Sequence, residues 1–237
     1  MILVTGGTGQ IGSRLLLNLT KNKAYKVRAI YRNTQSLEKI RQLFVKHSDS
    51  GAAQFDTIEW IQADLSNIPA LEKAFEGVTF VFHCAGLISF QPQDFDKLIE
   101  VNVQGTANIV NLSIDFGVKK LCYVSSVATL STLPHTPIDE ENDWNNEDNN
   151  TDYAISKNGA EMEVWRGSQE GLPVVIVNPS VVLGGDFTDR GSGLLYKKVA
   201  DGLRYYPAGA TGFVGVDDVV RAMVQLQFSE VAGERFV

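Results

Sequence analysis

Residues 1–20, MILVTGGTGQIGSRLLLNLT, join a short apolar run to a leucine-rich helical pattern through a turn crowded with glycine. Gly7, Gly9 and Gly12 fit the spacing G-x-G-x-x-G, while Gly6, Gly9 and Gly12 fit G-x-x-G-x-x-G. Both spacings serve the same physics. One glycine permits the sharp turn, another lets the backbone approach a pyrophosphate, and Gly12 lets helix and sheet pack closely. Free N–H groups and the helix dipole then favour an anion at the helix start. A strand before the loop and a helix after it supply the context that separates a phosphate cradle from a plain turn.

The rest of the chain repeats this alternation. Val/Ile-rich runs at 2–5, 26–31, 57–62, 79–83, 120–125 and 173–178 are separated by helical patterns near 11–21, 35–47, 69–76, 94–116, 152–170 and 191–202. Continuous apolar strands between helices predict a parallel sheet covered on both faces. Right-handed crossovers restrict it to a doubly wound α/β sheet, with the ligand crevice at the carboxyl ends of the strands. The expected architecture is a Rossmann fold of about seven strands, ordered 3-2-1-4-5-6-7, over residues 1–180. Residues 181–237 form a mixed segment: a small, incomplete C-terminal substrate lobe that returns to the core at about 212–237. The closing GERFV reads as the start of a further strand and predicts a continuation past residue 237.

Composition narrows the function classes. The net charge of −7 is concentrated in Asp139, Glu140, Glu141, Asp143, Glu147, Asp148 and Asp152, a stretch without a basic residue that reads as a solvated loop. No basic patch supports nucleic-acid binding, and no apolar run reaches the ~20 residues of a membrane span. Cys84 and Cys122 lie in apolar segments and read as buried thiols of a reducing compartment. With no leader pattern before Ile2, the expected location is the cytoplasm. No His/Cys/carboxylate cluster has metal-ligand spacing, so no metal is expected.

Six strand ends carry the informative residues. An NAD site expects an acid about 20 positions beyond the glycines, on the ribose 2′-hydroxyl. Here the second strand ends on Tyr31 and Arg32, and no Asp or Glu occurs between Gly12 and Glu38. A guanidinium suits a 2′-phosphate, so NADP is expected over NAD, the alternative being an Arg32 that never meets the cofactor. Asp64 could accept from the adenine amino group or cap the helix beginning near Ser66 and Pro69. Tyr153 and Lys157 stand four apart in TDYAISKNGAE, which puts both on one face of a helix. A tyrosine ionising near ~10 needs a neighbouring cation to work as an acid or base at neutral pH, and a lysine one turn away supplies it.

Taken together, TGGTGQIG, ADL, HCAG, VNVQGTANIV, YVSSVATL, YAISK and NPSVVLG resemble, in order and spacing over essentially the whole chain, the extended short-chain dehydrogenase/reductase superfamily. The likeness is to its nucleotide-sugar epimerases, dehydratases and dihydroflavonol-reductase-like enzymes. It implies Tyr153 as proton donor or acceptor, Lys157 as the group that lowers the Tyr153 pKa and holds the nicotinamide ribose, and Ser126, with Ser125 beside it, on the substrate oxygen. The implied cofactor contacts are Gly6, Thr8, Gly9, Gln10, Ile11, Gly12, Tyr31, Arg32, Asp64, Leu65, Ala85, Gly86, Lys157, Pro179 and Val182. Asn102 matches the family's NVxGT asparagine, as a relay or as a structural bridge; His83 reads as a satisfied strand-end imidazole. Leu87, Asp186, Arg190 and Tyr206 are the candidate substrate contacts.

The function these readings imply is an NADP-dependent oxidoreductase that exchanges hydride with a carbonyl or alcohol carbon of a small molecule. Two alternatives stand beside it: a nucleotide-sugar epimerase or dehydratase with tightly bound NAD(P), and a non-catalytic NADP-binding sensor or scaffold. A homodimer is left open.

Overall fold

The computed structural model describes residues 1–131, 136–187, 191–202, 205 and 210–237, without the Tyr196 side chain. Its first half runs β1 (Ile2–Thr5), α1 (Gln10–Leu19), β2 (Val27–Tyr31), α2 (Thr34–His47), α3 (Gly51–Asp56), β3 (Glu59–Gln62), α4 (Ile68–Phe75), β4 (Phe80–His83), α5 (Phe95–Leu98) and α6 (Gly105–Asp115). The second half runs β5 (Lys120–Val124), α7 (Asp152–Gln169), β6 (Val174–Val177), β7 (Val181–Leu183), α8 (Ser192–Ala200), β8 (Phe213–Gly215), α9 (Val216–Gln227) and β9 (Glu234–Phe236).

Seven strands form one sheet in the order β3-β2-β1-β4-β5-β6-β9, every pairing parallel. This is the expected doubly wound sheet with one difference. The seventh strand is the GERFV segment, because β7 and β8 leave the sheet and pair with each other, Val182 opposite Val214. The order reverses between β1 and β4, which opens the crevice above their carboxyl ends.

Alternating residues of each strand enter different layers. Ile2 and Val4 pack with Leu15, Leu16, Ile40, Phe44, Phe55 and Met223 of α1, α2, α3 and α9. Leu3 packs with Leu71, Phe75, Ile109, Val110 and Val164 of α4, α6 and α7. Both faces are therefore apolar, and the strands read as unbroken Val/Ile runs for that reason. Side-chain caps start the helices where the chain must turn: Asn33 accepts from the Gln35 N–H, Asn67 from Ala70, and Thr151 from Ala154. Among the described residues no helix is long and apolar enough to cross a membrane.

Two elements depart from the sequence expectation. The single helix expected over 94–116 is broken into a 3₁₀ turn at Pro92–Asp94, then α5, a π-helical stretch at Ile99–Gln104, and α6. The acidic stretch is also less free than a solvated loop. From β9, Arg235 donates to the Glu140 and Asn142 carbonyls and to the Asp143 carboxylate, at 2.8 to 3.0 Å.

Candidate active site

The glycine loop resolves into the Gly6/Gly9/Gly12 spacing. Gly6 sits at φ +66°, where a side chain is strained, and a Cβ there would lie 2.6 Å from the Ala85 nitrogen. A Cβ on Gly12 would lie 2.2 Å from the Gly6 carbonyl oxygen, so helix and loop touch backbone to backbone. Gly9 is the N-cap of α1, whose first turn holds no acidic residue. Gly7, by contrast, faces inward against Leu16 and Ala29. A backbone cradle beneath a helix start, with no carboxylate to repel an anion, fits a dinucleotide pyrophosphate.

The neighbouring residues are distributed unevenly around that cradle. Tyr31 closes β2 edge-on to Trp60, and the exposed Arg32 guanidinium lies 3.9 Å from the Asp64 carboxylate. Asp64 is not a helix cap: Asn67 is, while one Asp64 oxygen accepts from the backbone and hydroxyl of Ser66. Leu65 turns its side chain into the core against Gly105, and its carbonyl accepts from the Asn108 amide at 2.8 Å. Ile11 likewise packs on the core, and Thr8 lies at the loop crest, half-buried. Gln10 donates its amide to the Val182 carbonyl at 3.3 Å, and Ser192 at the start of α8 donates to the same carbonyl. The loop and β7 are thus latched together, with Pro179 accepting from the Val127 N–H nearby.

Beyond β4, Ala85 donates its N–H to Thr5 Oγ1 at 3.2 Å, and a Cβ on Gly86 would lie 3.4 Å from Asn102 Oδ1. Asn102, in the π-helical stretch, holds this segment: it accepts from the Leu87 N–H at 2.7 Å and donates to the Leu87 carbonyl and to Ser156 Oγ. Asn102 is a structural bridge between the β4 loop and α7, and the bridge accounts for the break in the helix.

Ser126, Tyr153 and Lys157 lie together beyond the end of β5. Ser126 accepts from the Ala128 N–H and faces the Tyr153 hydroxyl. Ser125 points the other way and donates to Glu161, a carboxylate 1% exposed that also accepts from Thr129 and Asn178 and lies 3.7 Å from Arg235. Ser126, then, is the serine that faces Tyr153. Lys157 is buried and donates to the Tyr123 hydroxyl and, at 2.9 Å, to the Val124 carbonyl. Burial lowers its pKa to about 7, with Glu161 and Cys84 opposing the fall.

Burial raises the Tyr153 pKa, and the facing Ser126 side chain opposes the rise. Cys84 and Cys122 are free, and burial pushes the Cys84 thiol up to about 12.

Three site residues escaped the sequence reading. Phe90 is 71% exposed and stands edge-on to the Tyr153 ring, centroids 5.8 Å apart, with exposed Ile88 and half-buried Leu87 beside it. Glu161 continues the four-residue spacing Tyr153, Lys157, Glu161, a signal present in the sequence. Tyr123 carries no local signal. Of the expected substrate contacts, Arg190 and Tyr206 lie outside the described residues. Asp186 is committed elsewhere: it pairs with Lys46 at 2.9 Å, His47 at 2.8 Å and Arg14 at 3.7 Å.

Comparison with known proteins agrees with this geometry. The family model for the NAD dependent epimerase/dehydratase family matches residues 2–236. The chain is 30% identical over 237 residues to sterol demethylase protein B of Methylococcus capsulatus, covering 99% of this chain and 68% of that protein. It is 31% identical over 252 residues to tetraketide alpha-pyrone reductase 2 of Arabidopsis thaliana, covering 99% and 76%. Among solved structures it is similar to the terminal R domain of the myxalamid PKS-NRPS pathway, with TM-score 0.84 and 26% identity over 99% of this chain and 64% of that one. The dTDP-glucose 4,6-dehydratase DesIV of Streptomyces venezuelae shares the fold, with TM-score 0.79 and 23% identity over 99% and 74%. The sheet, the glycine cradle and the match across nearly the full chain lead to one assignment: the protein belongs to the NAD dependent epimerase/dehydratase family, enzymes of the extended short-chain dehydrogenase/reductase type.

Proposed function

We propose that this protein is an NADP-dependent reductase of a small, largely apolar carbonyl compound. The observation that carries the reading is the placement of Ser126 against Tyr153, one helical turn from the buried Lys157. NADP is favoured over NAD by Arg32, which ends β2 where a carboxylate would meet a free 2′-hydroxyl. An apolar substrate is favoured by Phe90, edge-on to Tyr153, and by Leu87 and Ile88 just before it in the chain, three apolar residues without a charge among them. Relatives named as reductases point the same way.

In this reading residues 1–180 hold the cofactor, through Gly6, Thr8, Gly9, Gln10, Ile11, Gly12, the Arg32–Asp64 pair, the backbone at Leu65, Ala85 and Gly86, Pro179 and Val182. Residues 181–237 form the partial substrate lobe and its return to the core. When bound, the nicotinamide supplies the hydride, and the protein supplies the proton. Ser126 donates a hydrogen bond to the substrate oxygen and orients it. Tyr153 gives its phenolic proton to that oxygen as negative charge builds there. Lys157, as an ammonium, stabilises the phenolate left behind and holds the nicotinamide ribose.

The test is NADPH oxidation by the purified protein against ketones, aldehydes and nucleotide sugars. Consumption of NADPH with a carbonyl compound, abolished in Tyr153→Phe while NADPH still binds, is the expected result. Isomerisation of a nucleotide sugar without net oxidation would place the protein with the epimerases instead. Near-wild-type turnover in Tyr153→Phe would refute the acid–base assignment.

A further inference from the structure

Behind Lys157 lies a buried chain of polar side chains that the catalytic reading does not use. Lys157 Nζ stands over the Tyr123 ring, 4.3 Å from its centroid, and donates to the Tyr123 hydroxyl. That hydroxyl faces Thr106, whose Oγ1 lies 3.0 Å from His83 Nε2. His83 Nδ1 lies 2.6 Å from Thr5 Oγ1, and Thr5 Oγ1 accepts the Ala85 N–H. Tyr123, His83, Thr106 and Thr5 are each at most 1% exposed, and the His83 and Tyr123 rings stack with centroids 5.4 Å apart.

The direction of these bonds follows from their chemistry. An ammonium only donates, so the Tyr123 oxygen accepts from Lys157 and its own proton is left to point toward Thr106. Thr106 then donates to His83 Nε2, which places the ring proton on Nδ1, toward Thr5. This order requires a neutral imidazole, and burial, with the nearby Lys157 charge, holds the His83 pKa down to about 3. The chain therefore polarises in one sense and ends on the backbone of the segment that borders the cofactor cradle.

We propose that Tyr123 is a positioning residue: its hydroxyl seats the Lys157 ammonium from beneath, and the Thr106–His83–Thr5 chain seats Tyr123 against the cofactor-bordering segment at Ala85. The proposal rests on the reading of Lys157 as the partner of Tyr153. The charged or titratable groups facing Lys157 are Tyr123 from β5, His83 and Cys84 from β4 and its end, and Tyr153 and Glu161 from its own helix. Glu161 and the Val124 carbonyl are retained when Tyr123 is changed, so the effect of its hydroxyl is separable from theirs.

The lysine proton is read directly by Cε–Nζ correlation NMR on full-length protein carrying labelled lysine, without cofactor, with the Lys157 resonance identified by Lys157→Met. Loss of an acceptor disfavours the ammonium, so Tyr123→Phe lowers the Lys157 titration midpoint by about one pH unit, the size of a hydrogen bond to a charged group. The alkaline limb of kcat/KM for NADPH-dependent reduction moves down with it. Thr106→Val keeps the Tyr123 hydroxyl but breaks the next link, and produces a smaller fall in the same direction. This variant carries the test should Tyr123→Phe not fold. A midpoint unchanged from wild type in either variant overturns the proposal. A lowered midpoint in a protein that turns over no NADPH supports the positioning role while refuting the functional reading.

Discussion

At the scale of single residues, the proposed preference for NADP turns on Arg32. Its guanidinium is exposed and paired only at 3.9 Å with Asp64, so it is free to meet a phosphate at little cost. Arg32→Ala should weaken NADPH binding by ~10- to 100-fold, the equivalent of one charge-assisted hydrogen bond, and leave NADH binding unchanged. Fluorescence titration with both cofactors checks it; equal losses for the two would remove Arg32 from the 2′-phosphate. The local part of this site was legible in the sequence. Gly6, Gly9 and Gly12 stand in one loop, and Tyr153 and Lys157 one turn apart, so spacing alone assembles them. Glu161 and Tyr123 were harder to see, because their partners lie 36 and 34 residues away and only the folded sheet brings them together. Asp186 misled for a related reason. A carboxylate near a substrate segment looks available until the structure shows three basic side chains around it.

At the scale of elements, α9 illustrates how a helix can be hidden by its context. Val216, Val219, Val220, Met223 and Gln227 are buried at helical spacing, and the helix packs on α1, β5 and β6. The pattern is readable in VDDVVRAMVQLQ, yet it follows a glycine-rich segment that draws attention to loops. Met223 is fully buried among Leu15, Cys122 and Val175. Met223→Ala should therefore cost about 2–5 kcal/mol, the usual range for such a truncation, measured by chemical denaturation. A loss below 0.5 kcal/mol, typical of a surface position, would mean that α9 is not anchored as described. The broken helix over 94–115 teaches the opposite lesson. Its apolar periodicity runs on without interruption, and only the Asn102 bonds to Leu87, a contact between distant segments, explain the π-helical turn.

For the whole molecule, the alternation of apolar strands and helices was enough to define a parallel, doubly wound sheet, since burial on both faces writes itself into every strand. The side sheet of β7 and β8 was not legible, because strands of three residues carry no periodicity. What ties that region to the core is the Asp186 cluster with Lys46, His47 and Arg14, reinforced by the bidentate Arg14–Asp217 pair. Burial pushes the Asp186 pKa up, but the hydrogen bonds and charges of His47 and Lys46 outweigh it and hold the pKa below its usual value of 3.8. A depressed carboxylate pKa stabilises the fold above the unfolded value and ceases to do so as pH falls through the folded one. Asp186→Asn should therefore lower unfolding stability at neutral pH, on the order of 1 kcal/mol for a cluster that partly faces solvent. The gap from wild type should close as the pH falls below 3.8; a gap that persists there in parallel denaturation curves would assign it to packing. The position of Arg235 has a consequence for synthesis. The acidic loop and the buried Glu161 receive their cation from β9, so during translation both wait, already exposed beyond the ribosome, until residues 234–236 emerge and the edge of the sheet can close.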